Sequence, residues 1–134
     1  MNADEMIGQP PRVLLAEDDA EMRDLIATVL RADGCEVIDA GDFDRLGEIV
    51  AQHGGDRESI AMIISDIRMP GLTGLEFLAA LRCARWRTPV ILITAFGTEE
   101  VHKAADQLGA LAVLDKPFPL EHLRDLVRQA VVSC

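Results

Sequence analysis

Strict alternation between two kinds of segment constrains the fold of this chain more than any other feature. Short apolar runs of strand length alternate with stretches whose apolar residues recur at the spacing of one helix face. Such alternation, repeated about five times, predicts a mainly parallel β-sheet with helices packed on both faces. The predicted strands are Arg12–Ala16, Cys35–Ala40, Ile60–Ser65, Pro89–Thr94 and Ala110–Leu114.

The predicted helices have residues suited to begin and end them. Thr73 and Glu76 have the spacing of a capping box, and Gly34 and Gly109 stand where a glycine commonly follows the end of a helix. The residues expected to begin the helices are Asp19, Asp42, Thr73, Thr98 and Pro119.

Length, charge and cysteine content narrow the class of protein. The chain has 134 residues, which predicts one domain over residues 12–133 preceded by a flexible arm over residues 1–11. A net charge of -10 argues against direct binding to nucleic acid. Its apolar runs are too short to span a membrane, and the start lacks the features of a signal peptide. Three cysteines without a C-x-x-C pair favour a reducing, cytoplasmic setting.

Polar residues stand where the predicted strands end. Glu17 and Asp18 follow the first strand, Asp66 follows the third, Thr94 ends the fourth and Lys116 follows the fifth. Parallel strands all end at one edge of their sheet, and ligands bind at that edge where the strand order reverses. In a doubly wound, flavodoxin-like (βα)5 sheet of order 2-1-3-4-5, the first and third strands are neighbours, and the three carboxylates would converge.

Converging carboxylates favour a bound cation. At about 4 Å and an effective dielectric near 20, each pair repels by around 4 kcal/mol. Mg²⁺ (or Mn²⁺) suits such a cluster because it prefers a few carboxylates, water and phosphate oxygens. A carboxylate beside such a cation can accept a phosphoryl group, and Lys116 and Thr94 can contact that group. Pro117 is a candidate for a cis peptide bond that fixes the direction of the loop.

Each of these residues has a simpler interpretation when taken alone. Asp18 could cap a helix, Asp66 a turn, Thr94 could be an ordinary strand residue and Lys116 could lie in a solvated loop. The occurrence of the whole set at the ends of the correct strands is what favours a site over these alternatives.

With these residues in place, the chain resembles the receiver domains of two-component response regulators from about Arg12 to Val132. The matching segments are V-L-L-A-E-D-D, S-D-I-R-M-P-G-L-T-G, P-V-I-L-I-T-A and L-D-K-P. The resemblance implies that Asp66 is phosphorylated from a phosphohistidine on a sensor histidine kinase or phosphotransfer protein. It implies metal ligation by Glu17, Asp18, Asp66 and the backbone carbonyl of Arg68. Thr94 and Lys116 would contact the phosphoryl oxygens, and Ala95 would leave room for them.

Two positions depart from the family pattern. Glu17 stands where the family usually has the first of two aspartates, and its longer carboxylate can still reach the metal. Val113 stands where many members have Tyr or Phe, so switching is expected to work through the loop after Thr94. We also expect Arg68 and Phe96 to flank the approach of water and to set the lifetime of the phosphoryl group.

Two other functions compete with a phosphoryl-accepting switch. A metal-dependent phosphatase with an Asp nucleophile would need an acid where Arg68 stands, and a cap domain as well. An interaction module that is never phosphorylated would be expected to have lost part of the acid, Thr and Lys set.

Three further features complete the prediction. The last two helices are a possible homodimer surface. Three isolated histidines are expected to be solvated or capping residues, and a basic cluster after the third helix could dock an acidic partner or simply be an exposed helix end. The histidines are His53, His102 and His122, and the cluster is Arg82, Arg85, Trp86 and Arg87.

Overall fold

The structure is a computed structural model that describes residues 10–53, 59–69 and 73–132. Most of the predicted N-terminal arm lies outside these residues. The strands are β1 Arg12–Ala16, β2 Glu36–Ala40, β3 Met62–Asp66, β4 Val90–Thr94 and β5 Ala112–Asp115. The helices are α1 Ala20–Ala32, α2 Phe43–Gln52, α3 Gly74–Cys83, α4 Glu99–Gln107 and α5 Leu120–Val132. None of the helices described is long and apolar enough to cross a membrane.

The five strands form one parallel sheet in the order β2-β1-β3-β4-β5. The doubly wound, flavodoxin-like fold predicted from the sequence is therefore confirmed. The order reverses between β1 and β3, where Ala16 pairs with Ser65 in register. This pairing places the residue after β1 beside the last residue of β3.

Side chains on the two faces of the sheet form two separate cores. Residues at alternate positions of β3 point to opposite faces, so that Ile63 packs with α2, α3 and α4 while Ile64 packs with α1 and α5. Both β3 and β4 are buried along their whole length. Burial on both faces explains why these strands read as continuous apolar runs instead of alternating ones.

Side-chain caps begin α1 to α4 at the predicted residues. Asp19 accepts the amide N–H groups of Glu21 and Met22, and Asp42 accepts that of Arg45. The capping box is complete, since Thr73 Oγ1 accepts the Glu76 N–H and Glu76 Oε1 accepts the Thr73 N–H. Thr98 Oγ1 accepts the Val101 N–H.

Four strands differ from the prediction: β2 and β4 begin one residue later, and β3 and β5 differ at both ends. β3 begins at Met62 and includes Asp66, which pairs with Ile93 although its side chain is polar. Backbone pairing does not depend on side-chain polarity, so a strand can extend beyond the last apolar residue of its run. β5 begins at Ala112 because the Ala110 N–H bonds to Ala105 O and still belongs to the end of α4.

Gly74 allows the start of α3 to approach the end of β3. Its N–H donates to Ile67 O at 2.8 Å. A Cβ added at this glycine would lie 2.9 Å from Ile67 Cα and 3.0 Å from Asp66 O. Both of these neighbours are backbone atoms, so the strand would have to move.

We expect Gly74→Ala to lower the free energy of unfolding by about 1–3 kcal/mol, because the new methyl group overpacks a rigid backbone contact. Urea denaturation measures the change.

Gly47→Ala is the matched control, since a Cβ at this position in α2 meets no atom within 4 Å. Replacing a mid-helix glycine in this way should raise the free energy of unfolding by about 0.5–1 kcal/mol. Equal effects of the two substitutions would contradict the close approach at Gly74.

Candidate functional site

The residues predicted to form a site lie together at the carboxyl edge of the sheet. Glu17 and Asp18 follow β1, and Asp66 is the last residue of β3. Thr94 is the last residue of β4, and Lys116 follows β5. Four strands therefore supply the site, and the strand order explains why residues so distant in the chain are neighbours.

Lys116 joins the two buried acids of the site. Its Nζ donates to Asp66 Oδ2 at 2.7 Å and to Glu17 Oε1 at 2.9 Å. Both carboxylates are buried, and hydrogen bonds to charged groups are stronger than those between neutral groups. The peptide bond between Lys116 and Pro117 is cis, and it is the bond that the sequence marked as a candidate.

The three carboxylates fit the donor set of a hard cation. Oxygens of Glu17, Asp18 and Asp66 all lie within 4.8 Å of one another. Glu17 Oε2 is buried and has no hydrogen-bond partner. Leaving a buried carboxylate oxygen unpaired is costly. A small divalent cation would satisfy it, and oxygen ligands of this kind suit Mg²⁺.

Burial perturbs the titration of the paired groups. The pKa of Glu17 is raised to about 7, first because burial disfavours the charged carboxylate and next because Asp66 lies beside it, while Lys116 opposes the rise. Burial lowers the pKa of Lys116, but its bonds to Asp66 and Glu17 more than offset that effect, so its pKa is raised overall. Lys116 is therefore held charged, and a proton competes for Glu17 near neutral pH.

Two further hydrogen bonds hold the segments that carry the buried acids. Asp66 Oδ1 accepts the Arg68 N–H at 2.9 Å, so each oxygen of Asp66 has one donor. Arg23 Nη1 donates to Glu17 O at 2.7 Å and holds the backbone after β1 in place. The sequence reasoning missed Arg23, which lies on the first turns of α1 and could be sought there as a basic residue able to reach back to the loop.

Thr94 is connected to the loop that follows β4. Its Oγ1 accepts the Phe96 N–H at 3.0 Å, and its carbonyl accepts the Lys116 N–H at 2.7 Å. Thr94 is buried, whereas Ala95 is exposed. The hydrogen bonds described for Thr94 go to the neighbouring backbone, and none goes to the acids. Among the hydrogen bonds described, Thr94 thus shares the edge of the site without a bond to Asp66.

Arg68 and Phe96 contact each other from two different loops. The Arg68 guanidinium carbon lies 4.6 Å from the centre of the Phe96 ring, which is the geometry of a cation–π contact. Phe96 is 61% exposed, which is unusual for so large an apolar side chain. The contact links the loop after β3 to the loop after β4.

His102 has a partner that sequence reasoning did not foresee. Its Nε2 lies 3.1 Å and 3.0 Å from the two carboxylate oxygens of Asp115. A Cβ at Gly97 would overlap Asp115 Oδ1, so the loop after β4 packs closely against this pair. The sequence contains only an indirect indication of this pair. The helix that carries His102 precedes β5, and β5 ends at Asp115, next to Lys116.

A family description and several known proteins are similar to this chain. The family description "Response regulator receiver domain" matches residues 13–128. The transcriptional regulatory protein PdtaR of Mycobacterium tuberculosis is 33% identical over 123 residues, which cover 91% of this chain and 57% of PdtaR. The chain thus spans a little over half the length of that relative.

Solved structures show the same architecture. A response regulator receiver domain protein from Clostridium thermocellum superposes with a TM-score of 0.82 at 25% identity, covering 92% of this chain and 95% of that one. The chemotaxis protein CheY4 of Vibrio cholerae superposes with a TM-score of 0.76 at 30% identity, covering 90% and 98%. By the extent of the family match and the shared fold, this chain belongs to the response regulator receiver domain family.

Proposed function

We propose that this domain is a phosphoryl-accepting signalling switch in which Asp66 is the acceptor and the reaction depends on Mg²⁺ or Mn²⁺. The observation that carries the proposal is the bonding of Lys116 to both Asp66 and Glu17, beside a Glu17 oxygen that is buried without a partner. Receiver domains are generally signalling modules and not classical enzymes, and we propose the same for this chain.

The donor in this proposal is a phosphohistidine on a sensor histidine kinase or a phosphotransfer protein. A carboxylate oxygen of Asp66 attacks the phosphorus, a P–O bond forms and the P–N bond to imidazole breaks. The imidazole departs with the electron pair and takes up a proton from solvent. The product is an acyl phosphate on Asp66, and later attack by water returns the carboxylate and releases phosphate.

Each residue of the site has a distinct part in the proposal. Glu17, Asp18, Asp66 and the backbone carbonyl of Arg68 would hold the cation. When bound, the cation neutralises the acids and screens negative charge that would otherwise repel the phosphoryl group. The Lys116 ammonium, already within bonding distance of Asp66, would turn to the phosphoryl oxygens, which are the stronger anion.

Switching would act through Thr94. Its hydroxyl would donate to the phosphoryl group while Ala95 leaves room for the oxygens. Thr94 Oγ1 now accepts the Phe96 N–H, so movement of Thr94 would release or pull the loop leading to α4. Val113 replaces the aromatic residue of many relatives and lies opposite Leu92 in the sheet, so we assign the change to this loop instead.

The two competing functions receive less support. A phosphatase would need an acid two positions after the nucleophile, and the residue there is Arg68, whose guanidinium lies against Phe96. A module that is never phosphorylated would have no need to keep a partly buried lysine bonded to two buried acids. The interaction module would also leave the unpaired oxygen of Glu17 without a cation to satisfy it.

We propose that α4 and α5 form a homodimer surface, that the receiver domain occupies residues 12–133 and that the protein acts in the cytoplasm. Direct binding of nucleic acid by this domain is not expected, because its net charge is -10.

Incubation with acetyl phosphate and Mg²⁺ should add the mass of one phosphoryl group to the intact protein, since a small-molecule donor needs only the acceptor site. Asp66→Asn should remove the gain completely, and excess EDTA should suppress it. Intact-mass spectrometry in the cold, at neutral pH, measures all three.

Asp44→Asn, which removes an exposed carboxylate in the first turn of α2, is the control and should behave like the unchanged protein. A mass gain that persists in Asp66→Asn, or no gain in the unchanged protein, would refute the proposed acceptor.

Arg68→Ala and Phe96→Ala should each speed loss of the phosphoryl group. In this proposal the two side chains flank the approach of water, and a cation–π contact at an exposed site stabilises by roughly 0.5–1 kcal/mol. We therefore expect hydrolysis to become about two- to fivefold faster in either variant. The decay of the phosphorylated mass with time gives the rate.

Arg45→Ala, at an exposed position of α2, is the matched control. Unchanged decay in both Arg68→Ala and Phe96→Ala would show that the pair does not set the lifetime.

A further inference from the structure

A basic cleft lies at the edge of the sheet opposite the acidic site. It has a volume of about 710 Å³ and is formed where α3 and α4 end, before β4 and β5 begin. Three of its seven lining residues are arginines, and none is acidic. The chain as a whole has 23 acidic and 13 basic residues, so a cluster of positive charges without an acid is unusual for it.

Arg82 connects the two chain segments that form the cleft. Its guanidinium donates to the carbonyl oxygens of Trp86 and Thr88 in the loop before β4, and to those of Leu108 and Gly109 at the end of α4. All four acceptors are neutral. Among the residues that the structure describes, no carboxylate forms an ion pair with Arg82, so its positive charge remains available to an anion in the cleft.

Arg85 stands at a position where a glycine would be more stable. Helices α1 and α4 end in the same pair of backbone hydrogen bonds as α3, and the residues at the equivalent position are Gly34 (φ 97°) and Gly109 (φ 77°). Arg85 adopts φ 66°, the only positive φ of a non-glycine residue in the described ranges. An L-residue with a side chain is strained there, and such strain is concentrated at functional positions.

The shape of the cleft favours one class of anion. Guanidinium groups match the planar fork of a carboxylate, and Leu108 is half-buried at the wall, where an apolar side chain could rest. Trp86 is only 4% exposed, so its ring offers no face on which a nucleotide base could stack. These features suit a peptide that carries both acidic and apolar side chains better than a nucleotide.

We propose that this basic cleft docks an acidic segment of a partner protein, whose carboxylates pair with Arg85 and Arg87 above Arg82. The proposal goes beyond the phosphoryl switch and does not depend on it, because the cleft and Asp66 lie at opposite edges of the sheet. Substitutions in the cleft should leave phosphorylation of Asp66 unchanged.

Fluorescence anisotropy with a labelled peptide of alternating Glu and Leu residues tests the proposal, with a Gln and Leu peptide as the neutral probe. We expect the acidic peptide to bind and to shift the backbone amide signals of Arg85, Arg87 and Gln107 in NMR spectra. Binding should weaken as salt is added.

Arg85→Gly separates binding from folding. It should weaken binding of the acidic peptide about tenfold. It should also raise the melting temperature by roughly 2–5 °C, because it removes backbone strain. Loss of binding in a variant that is more stable cannot be attributed to unfolding. Arg87→Gln should weaken binding as well, and Arg45→Gln, on α2, should not.

Three results would overturn the proposal. One is equal binding of the acidic and neutral peptides, or binding of neither. Another is unchanged affinity in both Arg85→Gly and Arg87→Gln. The third is tighter binding of ADP than of the acidic peptide at the same residues, which would make the cleft a nucleotide site.

Discussion

The ammonium of Lys116, bonded to both Glu17 and Asp66, is the interaction on which the site depends. Two buried carboxylates and one partly buried ammonium leave an excess of one negative charge, and the exposed Asp18 adds another beside them. Such an arrangement costs free energy unless a further cation or a proton joins it. The raised pKa of Glu17 has the same origin, namely burial and the neighbouring Asp66.

The rest of the fold can tolerate this repulsion because the two hydrophobic cores do not contain the repelling acids. β3 and β4 are buried on both faces, and a fully buried Leu or Ile contributes about 1.5–3 kcal/mol. The carboxyl edge can therefore hold repelling acids in fixed positions without loss of the fold. Gly74 adds to this rigidity, since α3 begins in direct contact with the backbone at the end of β3.

The sequence was sufficient to predict where the main residues of the site lie. Local patterns place Glu17, Asp66 and Lys116 at strand ends, and the strand order then forces them to one edge. It could not predict the contact between Arg68 and Phe96 or that between His102 and Asp115, because each depends on the conformations of two loops. The start of β5 was missed for a related reason: Ala110 is apolar like a strand residue, but its N–H is used by the end of α4.

The two edges of the sheet have opposite characters. Acids and one lysine occupy the carboxyl edge, while arginines surround the cleft at the amino edge. Both edges carry an energetic cost, an unpaired oxygen at Glu17 in one case and a strained backbone at Arg85 in the other. Energetic costs of this kind are found mainly at positions that serve a function.

Titration of Glu17 by carboxyl-carbon NMR tests the central claim most directly, since it reads the electrostatics of the shared pocket. Without a divalent cation we expect a pKa of about 7 for Glu17, above its ordinary value of 4.5. Added Mg²⁺ should lower that pKa, because the cation favours the charged carboxylate, and Asp66→Asn should weaken this response. An ordinary pKa that Mg²⁺ does not change would mean that Glu17, Asp66 and Lys116 do not form one cation-binding pocket.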